Sequence, residues 1–476
     1  MLSDFCLSIS KFDLSISYIT RFTRSDIVRK RTVILQTKVC SGIIFASKIN
    51  SRSEYHLTKS NITAKQYHSP RANITAVLRT AKSQFNNIKE EKTMKLQLVA
   101  TCLFGLEKFL GEEIDALGCK RIETIDGRVT FEGTEEDIVR ANINLRLAER
   151  VFIKLGEFNA YSFDDLFEGT KALPWENFIS KYDEFPVKGH AIKSKLYSIP
   201  DCQSIVKRAV VARLSEKYGV SWFTENSGIK YQIEFFILKD RASLMIDTSG
   251  VALHKRGYRP ASVAAPLRET LAAALVLTSR PRKDVLIWDP FCGSGTIAIE
   301  SAMILANIAP GMNREFIAEK FPLIASKMWT DERELARSRV SKDVDFEIFA
   351  SDIDEEATDI AYENALRAGV TDYLNIFTAD ARKIEKPDRR GTIICNPPYG
   401  ERLMTPREAE MLYRDIGKNF ESFYPWQIYV LTSMETFERC YGRRADKIRK
   451  LYNGMIPCNL YQYYKPRDDK KHLKSK

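Results

Sequence analysis

The chain has 476 residues, 44% of them hydrophobic and 28% charged, with a formal net charge of +11, a globular balance that excludes an intrinsically disordered protein. No apolar run approaches the ~20 residues a membrane-spanning helix needs. The nine cysteines contain no CxxC pair or His/Cys cluster, which argues against a disulfide scaffold and a structural metal, and for reduced thiols in the cytoplasm.

The charge is uneven. Residues 1–93 hold 16 Lys and Arg against 6 Asp and Glu, leaving 57 against 56 for residues 94–476. The body is therefore nearly neutral, and a polyanion would have to be held by local basic patches. Residues 1–93 mix Ser, Ile, Lys and Arg without period or caps. A transit peptide shares that bias, but Asp4 and Asp13 fall where acids should be rarest. A disordered basic tail is a second reading. The favoured one is a non-native leader with translation starting at Met94, because "KEEKTM" can be encoded by a purine-rich stretch resembling a ribosome-binding site.

From Met94 the texture becomes structural. Residues 96–102 read as a strand and 105–117 as a helix closed by Gly118. Asp126-Gly127 lies between two alternating runs and marks a hairpin. "EEDIVRANINLRLAERV" reads as a helix and "VFIKLGEFNA" as a strand. The order β-α-β-β-α-β is ferredoxin-like and sets a first domain at 94–158. A helix around 163–180, a strand "HAIKSKLYS", a helix "SIVKRAVVARLSEKYG" ending at Gly219 and a hairpin turning near Asp240 follow, giving a second α+β domain at 159–252. Lys193, Lys195, Lys207 and Arg208 gather there; such charges are more often a solvated face than a binding site. "HKRGYRPAS", with Lys255, Arg256 and Arg259, reads as a linker over 253–265.

Beyond it, strands and helices alternate to residue 466: VLIWD, a helix from 295, FEIFASD, a helix 355–368, NIFTAD, TIICN, a helix near 408–421, QIYVLTS and a last pair around 447–464. This implies an α/β, Rossmann-like, mostly parallel doubly wound sheet. Asp354 caps the 355–368 helix and Gly369 closes it. Residues 467–476 form a basic tail.

Asp289 ends the first buried strand, and Phe291-Cys292-Gly293-Ser294-Gly295-Thr296 leads into a helix. Ligands in such sheets sit beyond the carboxyl ends of the strands, and glycines let backbone approach them. The full G-x-G-x-x-G and the phosphate-loop Lys-Ser/Thr are absent, which argues against a dinucleotide or an NTP. Asp352 and Asp380 end the next two strands. A carboxylate after the second strand suits ribose hydroxyls. Asp352 lies much further on than the ~20 residues expected, because residues 307–345 read as a helical insertion.

"NPPY" at 396–399 closes the fourth strand. An exocyclic nucleobase amine is a poor nucleophile because its lone pair is delocalised into the ring. Asn396 can accept one of its hydrogens and the Pro397 carbonyl another, Pro397 and Pro398 stiffen the backbone, and Tyr399 can stack on an extruded base. Cys292 and Cys395 read as packing residues.

"DPFCGSGT" with "NPPY" resembles class I S-adenosylmethionine-dependent amino-methyltransferases. "HKRGYR", "APLRETLAAAL" and "NPPYGERL" extend the likeness to bacterial THUMP-domain methyltransferases that make N2-methylguanosine in large-subunit ribosomal RNA. The resemblance implies a THUMP RNA-binding domain over 159–252 and S-adenosylmethionine as cofactor. It places Pro266, Glu269 and Thr270 near the methionine end, with Asp289, the 291–296 loop, Asp352, Ile353, Asp380, Ala381 and Asn396 completing the cofactor site. RNA contacts at Lys193, Lys195, Lys207, Arg208, Lys255, Arg256 and Arg259 are then expected, in a monomer without metal. Some relatives carry a second methyltransferase domain; none is expected here. An adenine-N6 or transfer-RNA guanine enzyme, and an inactive RNA-binding assembly factor, remain as alternatives.

Overall fold

The computed structural model describes residues 95–260, 267–341, 345–399 and 404–465. The expected leader 1–93, Pro266 and the expected basic tail 467–476 lie outside the described residues.

The first unit runs β1 (Leu96–Thr101), α1 (Glu107–Ala116), β2 (Lys120–Ile125), β3 (Arg128–Gly133), α2 (Glu135–Asn144) and β4 (Arg150–Asn159). Gly127, at φ 76°, makes the β2–β3 turn. A Thr134/Asp137 capping box starts α2. The expected helix through residue 151 stops at Asn144, where Leu145 turns extended and the Arg146 and Leu147 N–H groups go to the Glu113 carboxylate.

The second unit adds α3 (Phe163–Lys171), β5 (Val187–Ile192), α4 (Ile199–Tyr218), β6 (Ile233–Leu238) and β7 (Arg241–Asp247). α3 is shorter than expected, since Pro174 and a single 3₁₀ turn at Trp175–Asn177 replace its last turns. β5 starts and ends earlier than the sequence indicated: Lys193 takes φ 50° and the Lys195 N–H bonds Asp240. Lys239 and Asp240 both have positive φ, the geometry of a two-residue hairpin turn. β4 pairs antiparallel with β7, so the two units share one sheet in the order β2-β3-β1-β4-β7-β6-β5.

The third unit contains α5 (Glu269–Ser279), β8 (Leu286–Asp289), α6 (Thr296–Leu305), α7 (Ser326–Ser338), β9 (Ile348–Asp352), α8 (Glu355–Ala368), β10 (Leu374–Thr378), β11 (Gly391–Cys395), α9 (Pro406–Glu421), β12 (Gln427–Thr432), α10 (Phe437–Tyr441), β13 (Lys447–Asn453) and β14 (Ile456–Tyr463). The strand order is β10-β9-β8-β11-β12-β14-β13. β8 to β12 run parallel, and β14 lies antiparallel to both its neighbours.

The expected linker is a packed strap over its described part. Leu253, Arg256 and Tyr258 are buried, and Arg256, Tyr258 and Arg146 of the first unit all converge on Glu300 of α6. The insertion after α6 docks on α2: Asn144 Nδ2 donates to Glu332 at 2.8 Å and Gly311 N to Ile143 O at 2.9 Å.

Candidate active site

Because β8 to β11 run parallel, they deliver Asp289, Asp352, Asp380 and Asn396 to one edge of the sheet. β8 and β11 are neighbours although they are not consecutive, so the strand order reverses between them. A switch of this kind opens a crevice at the carboxyl ends of the strands. The glycine loop flanks it on one side and NPPY on the other.

The loop turns tightly into α6. Gly293 and Gly295 have φ of 49° and 80°, and a Cβ on Gly295 would meet that of Ala361 on α8 at 3.0 Å. Cys292 N donates to Ser351 O at 2.9 Å and Gly295 N to Cys292 O at 2.8 Å. Asn364, buried in α8, donates to Ser294 O at 3.0 Å. Asp352 Oδ2 accepts the Gly293 N–H at 2.9 Å, and its Oδ1 accepts the Asp354 N–H at 3.2 Å. Asp352 thus ties its strand end to the loop. Ile353 beside it is 62% exposed, an apolar shelf at the strand edge.

Two buried carboxylates here each have an oxygen without a hydrogen-bond partner among the described residues. Asp289 Oδ1 accepts from Phe291 N at 3.1 Å, while Oδ2 is orphaned. Burial, with the charge of Asp352 adding to it, pushes the Asp289 carboxyl well up. Glu269 Oε1 faces Arg259 Nη2 at 3.2 Å, while Oε2 is orphaned; burial raises its carboxyl despite Arg259. Orphaned buried acceptors call for a donor. Thr270, next along α5, is also buried and donates to Glu149.

Asp380 has its carboxylate clasped by Arg382, Nε and Nη2 each at 2.8 Å, which holds its carboxyl below the usual range. Ala381 is buried beside it.

In the NPPY loop, Asn396 Oδ1 accepts the Tyr399 hydroxyl at 2.6 Å. Buried Tyr413 of α9 donates to Pro398 O at 2.9 Å and meets Thr432 Oγ1 at 2.9 Å, pinning the loop to β12. The Tyr399 hydroxyl sits on the oxygen expected to receive an amine, so substrate must share or displace it. Cys292 and Cys395 are buried and burial pushes both thiols well up, so neither supplies a thiolate.

The expected RNA-contacting residues divide. Lys193, Lys195, Arg208 and Lys255 are exposed. Lys207 instead bonds Phe185 O and Glu225 and lies 3.6 Å from the centre of the Phe185 ring. Arg256 is buried on Glu300, and Arg259 bridges Glu269, Leu267 O and Thr296 Oγ1. Each of these three has its cationic group engaged by partners of the chain itself, Arg256 and Arg259 in the interior and Lys207 at the partly exposed pair with Glu225. Glu149 and Asn364 were missed from sequence. Asn364 carried a signal, a polar residue beside Ala361 and Ala365 on the buried stripe of a helix; Glu149 acts across units and carried none.

Comparison with known proteins completes the picture. The RMKL-like methyltransferase domain matches residues 256–462, the RlmL ferredoxin-like domain 97–152 and the THUMP domain 160–247. The putative RNA methyltransferase YpsC of Bacillus subtilis is 44% identical over 374 residues, covering 78% of this chain and 96% of that protein. The ribosomal RNA large subunit methyltransferase K/L of Psychromonas ingrahamii is 33% identical over 366 residues, 75% of this chain; the chain spans about half of that relative, 49%. A solved structure of SMU.472, a putative methyltransferase complexed with SAH, superposes with a TM-score of 0.73 at 40% identity, covering 78% of this chain and 99% of that one. The methyl donor is S-adenosylmethionine. The site fits it: the orphaned oxygens of Asp289 and Glu269 suit an ammonium group, and the Asp352 carboxylate suits hydroxyls. The chain belongs to the family of S-adenosylmethionine-dependent RMKL-like methyltransferases that carry an RlmL-type ferredoxin-like domain and a THUMP domain ahead of the catalytic fold.

Proposed function

We propose that the chain methylates the exocyclic N2 amine of a guanosine in large-subunit ribosomal RNA, in the cytoplasm. The observation that carries this reading is the pinned NPPY loop, which stands across the switch-point crevice from the glycine loop and its orphaned carboxylates. The names of the relatives support RNA, and ribosomal RNA, as the substrate class.

When bound, S-adenosylmethionine would supply an electrophilic methyl group, the sulfur keeping the electron pair of the broken S–C bond and leaving as S-adenosylhomocysteine. Asn396 Oδ1 and the Pro397 carbonyl accept the two amine hydrogens and aim the nitrogen lone pair at that methyl. As the N–C bond forms, the nitrogen becomes positive, and the two acceptors stabilise that charge. One amine proton then leaves to water. Alignment of bound reactants is the main resource, and no covalent nucleophile is required. Tyr399, released from Asn396, stacks on the extruded base. RNA is held at a distance by exposed Lys193, Lys195 and Arg208 of the THUMP domain, alongside the exposed rings of Tyr197 and Trp222, and by Lys255 of the strap. Base stacking suits a chain whose body carries little net charge.

The test is complementation. A deletion strain should lack one N2-methylguanosine in large-subunit RNA. The wild-type gene should restore it, and an Asn396→Ala gene should not. Unchanged large-subunit RNA in the deletion strain, with a methylated base lost from transfer RNA instead, would refute the ribosomal assignment.

A further inference from the structure

We propose that Glu149 of the ferredoxin-like domain is a positioning residue of the cofactor site, so that this domain supports cofactor binding as well as fold. Glu149 lies just ahead of β4, where its N–H donates to Thr101 O at 2.7 Å. Its side chain reaches into the catalytic unit. Oε1 accepts the Thr270 hydroxyl at 2.6 Å, and Oε2 accepts Arg268 Nη1 at 3.2 Å and faces His254 Nδ1 at 2.8 Å. Burial opposes the charged form, yet the bonds from His254 and Thr270 outweigh it and hold the carboxyl below its usual range.

These three partners are the strap and the opening of α5, which ties down the turn that presents Glu269. With Thr270 drawn to Glu149, Glu269 turns the other way, onto Arg259. Arg259 also donates to Leu267 O and to Thr296 Oγ1, each at 2.9 Å, and Thr296 is the first residue of α6 after the glycine loop. One carboxylate outside the catalytic unit therefore anchors a chain of contacts that ends at the start of α6, beside the glycine loop, and that holds Glu269, whose Oε2 is orphaned. A glue residue between domains would need neither the Thr270 bond nor the continuation to Thr296.

The test is calorimetric titration of the full chain with S-adenosylhomocysteine, without RNA, so its outcome does not depend on which base is methylated. Glu149→Ala should weaken binding about tenfold or more, raise KM for S-adenosylmethionine similarly, and leave kcat at saturation and RNA affinity near wild type. Glu149→Gln, which keeps an acceptor for Thr270, should recover part of the loss. Thr270→Val should weaken binding comparably, and the double variant should lose little more, because the two residues act through one contact. Unchanged affinity in folded Glu149→Ala, or additive losses in the double variant, overturns the proposal. If Glu149→Ala does not fold, Glu149→Gln decides: wild-type affinity and KM in that variant, with Thr270→Val also unaffected, overturn it.

Discussion

Replacing Glu300 with Ala should loosen the junction between the ferredoxin-like and catalytic domains. Glu300 is fully buried and takes Arg256 Nε at 3.3 Å, Arg146 Nη1 at 3.5 Å and the Tyr258 hydroxyl at 3.3 Å. Truncation leaves Arg146 one carbonyl partner, Ile308 O at 2.7 Å, and Arg256 two, Leu253 O at 2.7 Å and Arg146 O. What is removed is therefore the counter-charge. Removing one member of a buried ion pair costs ~3–5 kcal/mol, and a stranded buried hydroxyl adds ~1–3 kcal/mol. The carbonyl partners that remain keep both guanidinium groups hydrogen-bonded, so a loss at the low end of these figures, about 3 kcal/mol, is expected. Urea unfolding followed by intrinsic fluorescence measures it. Glu300→Gln, which keeps the acceptor but not the charge, should fall between wild type and Ala. A loss under ~1 kcal/mol for Glu300→Ala would show that the cluster does not hold the junction, and the reasoning would fail.

Asp352→Ala should weaken S-adenosylhomocysteine binding about a hundredfold, since hydrogen bonds to a charged acceptor contribute ~1.5–3 kcal/mol each, while costing little stability at this half-exposed strand end; unchanged calorimetric affinity would remove Asp352 from the site. Asn396→Ala should abolish the chemical step in single-turnover assays while sparing cofactor and RNA binding, because its hydrogen bond matters most as the amine gains charge. Tyr399→Phe should stay within several-fold of wild type and Tyr399→Ala should not, if the ring rather than the hydroxyl serves the reaction; equal losses in both would contradict stacking. Burial raises the Glu113 carboxyl from the usual 4.5 to about 7, so the native state keeps a proton that the unfolded state releases. Stability should therefore fall as pH rises from about 4.5 to about 7 and level off above that. Glu113→Gln should flatten this window, and urea midpoints running parallel in the two proteins at pH 5 and 8 would refute the assignment.

What the sequence revealed, and what it hid, follows from range. Elements with local signals were legible: the Asp126-Gly127 hairpin, the Asp354 cap and Gly369 closure of α8, and the strand-loop-helix around Asp289. The motif proposed to be catalytic could be picked out because its residues are contiguous from Asn396 to Tyr399. Contacts between distant segments were not. Nothing local marks β4 as the seam joining two units into one sheet, since edge and central strands share the same alternation. Arg256 and Arg259 looked like RNA contacts because a basic strap with Gly and Pro reads as exposed; only tertiary contact with Glu300 and Glu269 shows their charges neutralised inside. Glu149 was invisible for the same reason, since its partners lie over a hundred residues away. The early end of α2 was hidden too, because the apolar residues beyond Asn144 continue a helical pattern while their N–H groups are captured by Glu113.

The central claim is that this active site methylates a guanine amine in RNA. The most direct measurement incubates the purified chain with isotopically labelled S-adenosylmethionine and large-subunit RNA from the deletion strain, then digests the RNA to nucleosides for mass spectrometry. The account predicts label in N2-methylguanosine at a single site, absent with Asn396→Ala. Label in N6-methyladenosine, or in transfer RNA added as a competitor but not in ribosomal RNA, would contradict it.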